Sequence, residues 1–323
     1  MRHAPLLTRR RAAAALATAA ISLLAARRAR AADAQGIGVF DLQWHDARRV
    51  RDVPLRLYLP AGEQRVPLVV FSHGIGGSRF GYGYLGRHWA AHGWASLHLQ
   101  HVGSDRDLWF GNVFGLVERL RDAATDAEAV DRVHDLRFAL DRVLEGPLAG
   151  RLDAARVVAA GHSYGANTTL LAAGARVVRS GRPVVLRDER VRAAIVLSAP
   201  PFYGERSFEP ILGGVDVPSL HVTATGDDIR IPGFWSGVDD RLAVFDAIGG
   251  RPKALAVFQG GTHSIFTDRP GTGGVALNAQ VKAATRELTL AFLQRAFGGD
   301  AGALLQWPQR HAGIVERFSV LGA

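Results

Sequence analysis

Cysteine is absent from all 323 residues. That excludes disulfides in any compartment, a thiol nucleophile and cysteine-bound metal. Lysine is nearly absent too: Lys253 and Lys282 are the only two, so arginine carries almost all the positive charge. No H-E-x-x-H or similar ligand spacing occurs, and neither a metal nor another cofactor is expected. No internal repeat is visible, and no stretch beyond the N-terminal region is long and apolar enough to cross a membrane.

The net charge of +9 points at first to a nucleic-acid partner. However, Arg2, Arg9, Arg10, Arg11, Arg27, Arg28 and Arg30 supply seven of the positive charges before residue 32, with no acid among them. The rest of the chain has 32 basic and 30 acidic residues, about +2, and no nucleic-acid binding is expected of it. The first 34 residues read as an export signal. Thr8-Arg9-Arg10-Arg11 precedes an apolar run from Ala12 to Ala26, followed by the small-x-small triplets Ala29-Arg30-Ala31 and Ala32-Asp33-Ala34. Paired arginines before a weakly apolar, alanine-rich stretch resemble a twin-arginine signal. The expectation is a periplasmic or secreted protein with no membrane span after signal removal, and residues 35–323 as a single domain. The alternative is a basic extension on a cytoplasmic protein.

With 48% hydrophobic and 21% charged residues, the composition is globular. Alternation at Val39 to Trp44 and Arg51 to Leu59 predicts an antiparallel hairpin. Pro67 to Ser72 is a continuous apolar run, as in a parallel strand buried on both faces. Further strands are predicted at Trp94 to Leu99, Arg156 to Ala160, Ala193 to Leu197, Leu220 to Thr225 and Ala254 to Phe258. Helices are predicted at Tyr84 to His92, Asp126 to Leu144, Ala166 to Val178, Arg241 to Ile248 and Val275 to Phe297. Such alternation gives an α/β fold, a mostly parallel central sheet with helices on both faces. From Ala301 onward only a short helix to Leu305 is predicted.

Gly161-His162-Ser163-Tyr164-Gly165 fits G-x-S-x-G and lies between a predicted strand and a predicted helix, the context that motif requires. The turn brings strand and helix together, so small residues must flank Ser163, whose hydroxyl then stands above the sheet as a nucleophile. The bland alternative is a glycine-rich turn with a capping serine. A hydroxyl needs a base. His263, in Gly260-Gly261-Thr262-His263-Ser264, follows the last strong strand and preserves the chain order Ser…Asp…His. The third member is expected after the strand Leu220 to Thr225, where Asp227 and Asp228 adjoin. Asp228 is preferred because it stands four residues before Pro232, which leaves Asp227 as a turn residue. The oxyanion needs two backbone donors: Tyr164 N–H after the nucleophile, and Ile75 N–H in His73-Gly74-Ile75-Gly76-Gly77.

The run Phe71 to Arg79, Tyr84-Leu85-Gly86, Ala91-His92-Gly93 and the Gly-His-Ser-x-Gly elbow resemble the dienelactone hydrolase and platelet-activating-factor acetylhydrolase-like branch of the α/β-hydrolases. Secreted cutinase-like polyester hydrolases share much of the layout. The resemblance spans about residues 50 to 295 and implies metal-free hydrolysis of carboxylic esters, small or polymeric. Dienelactone hydrolases proper use a cysteine, absent here, so their activity is not implied. In acetylhydrolases of the branch the acid can follow the strand after the nucleophile helix. Here that strand ends Leu197-Ser198-Ala199-Pro200, without a carboxylate, which supports the later aspartate.

Aromatic side chains on the predicted loops at the sheet's carboxyl edge are the candidate substrate contacts: Trp109, Phe110, Phe202, Phe234, Trp235 and Phe266. The alternative is that they pack the loops down. Three functional readings compete: an ester hydrolase, an amidase or peptidase with the same triad, and a non-catalytic hydrolase-like binding protein.

Overall fold

The computed structural model describes residues 36–322 except 206, 232, 270 and 273, so the predicted export signal lies outside the described residues. Strands β1 (Gly38–Asp46) and β2 (Arg51–Leu59) form the predicted hairpin. Then come β3 (Val66–Ser72), α1 (Gly83–Ala91), β4 (Ala95–Leu99), α2 (Leu116–Asp122), α3 (Asp126–Glu145), β5 (Leu152–His162) and α4 (Tyr164–Ala173). The short hairpin β6 (Arg176–Arg179) and β7 (Arg182–Val185) leads to β8 (Val191–Leu197), α5 (Glu209–Leu212) and β9 (Ser219–Gly226). A second small hairpin, β10 (Ile229–Ile231) and β11 (Phe234–Ser236), precedes α6 (Val238–Ala247) and β12 (Lys253–Thr262). The chain closes with α7 (Val275–Gly298), α8 (Gly302–Arg310) and β13 (Val315–Leu321).

Among the described residues nine strands form one sheet, in the order β1-β2-β4-β3-β5-β8-β9-β12-β13. The six from β4 to β12 run parallel, and β1, β2 and β13 are antiparallel to their neighbours. All of β3 is buried, with side chains alternating between two cores as strand geometry requires. Leu68 and Val70 join Val133, Leu136 and Leu140 of α3, while Val69 and Phe71 join Trp89 of α1 and Leu288 and Phe292 of α7. This is the predicted α/β architecture. Among the described residues no helix is long and apolar enough to cross a membrane.

Two predicted spans differ. The helix expected to reach Val178 stops at Ala173, where Gly174 takes φ +123°, and the β-branched run that follows forms the β6–β7 hairpin. The C-terminal segment contributes a full edge strand. β13 pairs only with β12 and is half-exposed along its length, so its hydrophobic alternation is faint.

Because β3, β5, β8, β9 and β12 are parallel, the loops after them emerge at one edge of the sheet, where open α/β sheets place ligand sites. Those loops hold Ile75, Ser163, Ser198, Asp227 and His263.

The interior also sets a pH limit. Burial holds His98, His162 and His221 neutral, each with a pKa of about 3. Unfolded, each titrates near ~6.5. Their folded pKa is depressed, so their contribution to stability is complete above about pH 6.5 and is lost as pH falls towards 3. The thermal midpoint is expected to be flat just above pH 7 and to drop steadily below about pH 6.5. A midpoint that holds or rises between pH 6.5 and 4.5 contradicts this.

Candidate active site

The turn from β5 to α4 is as tight as its sequence implies. Ser163 has φ 56° and ψ −124°, outside the regions a non-glycine residue normally occupies. Strain of this kind costs roughly 1–3 kcal/mol and persists where its surroundings hold it. Ser163 N–H donates to Leu197 O at 2.9 Å, and Ser163 O accepts from Ala166 N at 2.8 Å. A Cβ on Gly161 would collide with the Gly165 carbonyl, and one on Gly165 with the carbonyls of Ser72 and His73. Both glycines are therefore required by backbone contact across the turn.

His263 follows β12 directly. Its Nε2 lies 2.8 Å from Ser163 Oγ and its Nδ1 lies 2.6 Å from Asp227 Oδ1. The preference for Asp228 is corrected here: Asp227 faces His263, while Asp228 is exposed and pairs with Arg230 at 2.8 Å. The reason is the turn that ends β9. Asp227 N–H donates to Ala224 O at 3.1 Å, which folds Asp227 back over the strand end, where Thr223 Oγ1 donates to its Oδ2 at 2.7 Å. Ser198 Oγ donates to the same oxygen at 2.5 Å, and Arg241 Nη2 reaches Oδ1 at 3.5 Å. Thus the strand end that carries no acid supplies a hydroxyl to the acid on the neighbouring strand. Burial alone would raise the pKa of Asp227. The bonds from His263 and Ser198 and the nearby Arg241 charge outweigh burial and hold it well below the usual carboxylate range.

His162, within the elbow, fixes the loop that carries His263. Its Nε2–H donates to His263 O at 2.9 Å, and Tyr82 Oη–H donates to its Nδ1 at 2.8 Å. The tautomer with Nε2 protonated satisfies both contacts, and burial keeps the ring neutral.

Ile75 and Tyr164 both border the cavity in front of Ser163. Tyr164 opens α4, so its N–H has no acceptor within the helix. Among the described residues no acceptor engages Ile75 N–H, whereas the next two amides are tied down: Gly76 N–H to Ser104 O and Gly77 N–H to Gly74 O, both at 2.9 Å. Beneath this loop lies a buried arginine that the sequence did not single out. Arg132 on α3 donates Nε to Thr168 Oγ1 at 3.0 Å, Nη1 to Ser104 Oγ at 2.7 Å and Nη2 to His73 O. Its guanidinium also lies 4.5 Å from the Tyr164 ring centroid. It therefore ties the segment before Ile75, and the Ser104 loop that accepts from Gly76 N–H, to the helix that begins at Tyr164. Burial lowers its pKa to about 10, which leaves it charged at neutral pH.

A cavity of ≈ 630 Å³ opens beside Ser163, within the roughly 300–1,000 Å³ of small-molecule sites. Of the six predicted aromatic contacts, Phe202 and Phe234 line it. The other four do not. Trp109 lies over Gly76, donating Nε1–H to Gly76 O at 2.7 Å. Phe266 is wholly buried against Phe258 and His162. Phe110 and Trp235 are 69% and 68% exposed and turn outward. Tyr203, on the same loop as Phe202, lines the cavity as well. Its ring meets Phe234 edge-on at 5.2 Å.

A hydroxyl, an imidazole and an ionised carboxylate thus stand in one hydrogen-bonded series beside the cavity that Ile75 and Tyr164 border. This arrangement can transfer a proton away from a nucleophilic oxygen and hold a developing oxyanion. Residues 51–107 match the family model of platelet-activating factor acetylhydrolase, isoform II. Among solved structures, a ferulic acid esterase from Streptomyces cinnamoneus superposes with a TM-score of 0.66 at 23% identity, over 89% of this chain and 98% of that one. No curated protein sequence matches. The chain thus shares the overall fold of that esterase, and its segment 51–107 is similar to the platelet-activating factor acetylhydrolase family.

Proposed function

We propose that this hydrolase cleaves carboxylic esters through a Ser163–His263–Asp227 triad and an acyl-enzyme intermediate. The unbroken series Ser163 Oγ, His263 Nε2, His263 Nδ1, Asp227 Oδ1, with gaps of 2.8 and 2.6 Å, carries the proposal. In the first half-reaction Ser163 Oγ bonds to the ester carbonyl carbon while His263 Nε2 takes the hydroxyl proton. The carbonyl oxygen becomes an oxyanion between the Ile75 and Tyr164 amides. The intermediate collapses, the carbon–oxygen bond breaks, and His263 returns the proton to the departing alcohol. In the second half a water attacks the acyl carbon as His263 takes its proton. The carboxylic acid leaves, and the proton goes back to Ser163 Oγ. Asp227 holds the imidazole so that Nδ1 keeps its proton and Nε2 remains free to accept.

The buried, multiply bonded Asp227 favours this over a non-catalytic binding role, which has no use for an ionised carboxylate held behind an imidazole. With p-nitrophenyl acetate in excess, a burst of nitrophenolate close to one equivalent per protein is expected before the steady state, because the activated leaving group makes acylation of Ser163 faster than hydrolysis of the acyl-enzyme. Faster turnover of the matching anilide than of the ester would overturn the ester reading in favour of the amidase one.

A further inference from the structure

We infer that the cavity is an acyl slot for an unbranched aliphatic chain of medium length, near ten carbons, in preference to an acetyl group or an aromatic acid. This rests on the serine-esterase reading above and specifies its substrate class.

The first step identifies which half of the ester the cavity receives. The alcohol oxygen must collect its proton from His263 Nε2, so the alcohol lies on the His263 side of Ser163. Neither His263 nor any residue from 264 to 268 lines the cavity, whereas Ser163, Tyr164 and Ile75 do. The cavity therefore extends from the reacting carbon on the acyl side.

The second step concerns shape. Tyr164, Asn167 and Leu171 line the cavity at helical spacing along one face of α4. Ala127, Val130 and His134 do the same along α3. The directly paired Val177 and Val184 of the β6–β7 hairpin form a third wall, and Phe202, Tyr203 and Phe234 a fourth. The cavity is therefore a slot bounded by two helix faces, a hairpin and these aromatic rings. Leu171 is eight residues beyond Ser163, about 12 Å of helix. An extended chain advances roughly 1.2 Å per single bond, so a slot of that depth accommodates about ten carbons.

The third step concerns chemistry. Three charged groups on the slot are already engaged: Arg179 pairs with Asp126, itself on the slot, and with Glu205, and Asp131 pairs with Arg49. The remaining wall is largely alkyl and aromatic, which suits methylenes.

The experiment measures kcat/KM for p-nitrophenyl esters from acetate to tetradecanoate, and for a feruloyl ester. It compares wild type, Val130→Trp, Val184→Trp and Ser163→Ala. Both valines are partly exposed, so neither tryptophan has to enter the closed core. In the wild type kcat/KM is expected to climb up to about fourfold per methylene, the equivalent of ~0.8 kcal/mol, and to level off near decanoate. In each tryptophan variant the decanoate-to-acetate ratio is expected to fall at least about tenfold. A profile that peaks at acetate or feruloyl, or a ratio untouched by both tryptophans, overturns the slot while Ser163→Ala is inactive. Hydrolysis that survives in Ser163→Ala overturns the underlying reading instead.

Discussion

Replacing Ser163 with alanine is expected to lower kcat for ester hydrolysis by about a millionfold, the scale seen when a triad nucleophile is removed. The size follows from what the substitution takes away. The alanine variant keeps His263 on Asp227, the amides of Ile75 and Tyr164, and the cavity, but has no atom able to form the acyl-enzyme. Water held near His263 can react only by direct attack, so the residual rate reflects oxyanion stabilisation and binding alone. The fold should survive. Ser163 makes its structural contacts through backbone N–H and C=O, and alanine retains both. The same variant should no longer react with a fluorophosphonate probe, while its far-ultraviolet circular dichroism stays that of the parent. Probe labelling or esterase turnover within tenfold of wild type would show that the nucleophile lies elsewhere.

The second large effect separates two neighbouring carboxylates. Asp227→Asn is expected to reduce kcat about 10⁴-fold, because an amide facing Nδ1 favours the wrong imidazole tautomer. Some loss of stability should accompany it. Ser198 and Thr223 both donate to Asp227 Oδ2, and whichever way the new amide is turned, either they or His263 Nδ1 meet a donor instead of an acceptor. Asp228→Asn removes only an exposed pairing with Arg230, of a kind typically worth ~0–1 kcal/mol. Its kcat should remain within about twofold of wild type. Steady-state kinetics of both variants on one ester decide the matter. Near-normal turnover in Asp227→Asn with collapse in Asp228→Asn would reverse the assignment.

Much of this site could be read without coordinates because its parts are local. The apolar run of β3, the glycines on either side of Ser163 and the glycine-rich loop around Ile75 each answer to constraints within a few residues. The cis-acting geometry of a strand–turn–helix leaves no room for a Cβ at Gly161 or Gly165, so sequence records it directly. The choice between Asp227 and Asp228 was of another kind. The two aspartates are neighbours in the turn after β9, and the proline four residues on does not specify which of them folds back towards His263. Thr223 and Ser198 hold Asp227 there, through contacts that exist only in the folded chain. The aromatic contacts failed for a similar reason. Trp109 and Phe266 are as apolar as Phe202 and Phe234, yet the first lies over Gly76 and the second fills the core beneath His162. Composition has no term for that difference.

Arg132 marks the limit most clearly. On α3 it reads as one more arginine among the 39 basic residues, but in the fold it is fully buried and holds His73, Ser104 and Thr168 together beneath the glycine-rich loop that carries Ile75. The sequence by itself determined the α/β layering, the Ser163 elbow, the histidine and the two amides proposed for the oxyanion, because each depends on short-range sterics or on periodicity along one element. Only the tertiary structure decided that Asp227 is the carboxylate behind His263, which aromatics border the cavity, and how deep it runs between α3 and α4. Those outcomes depend on contacts between residues tens of positions apart, whose side-chain directions are settled only when the sheet and its helices close around them.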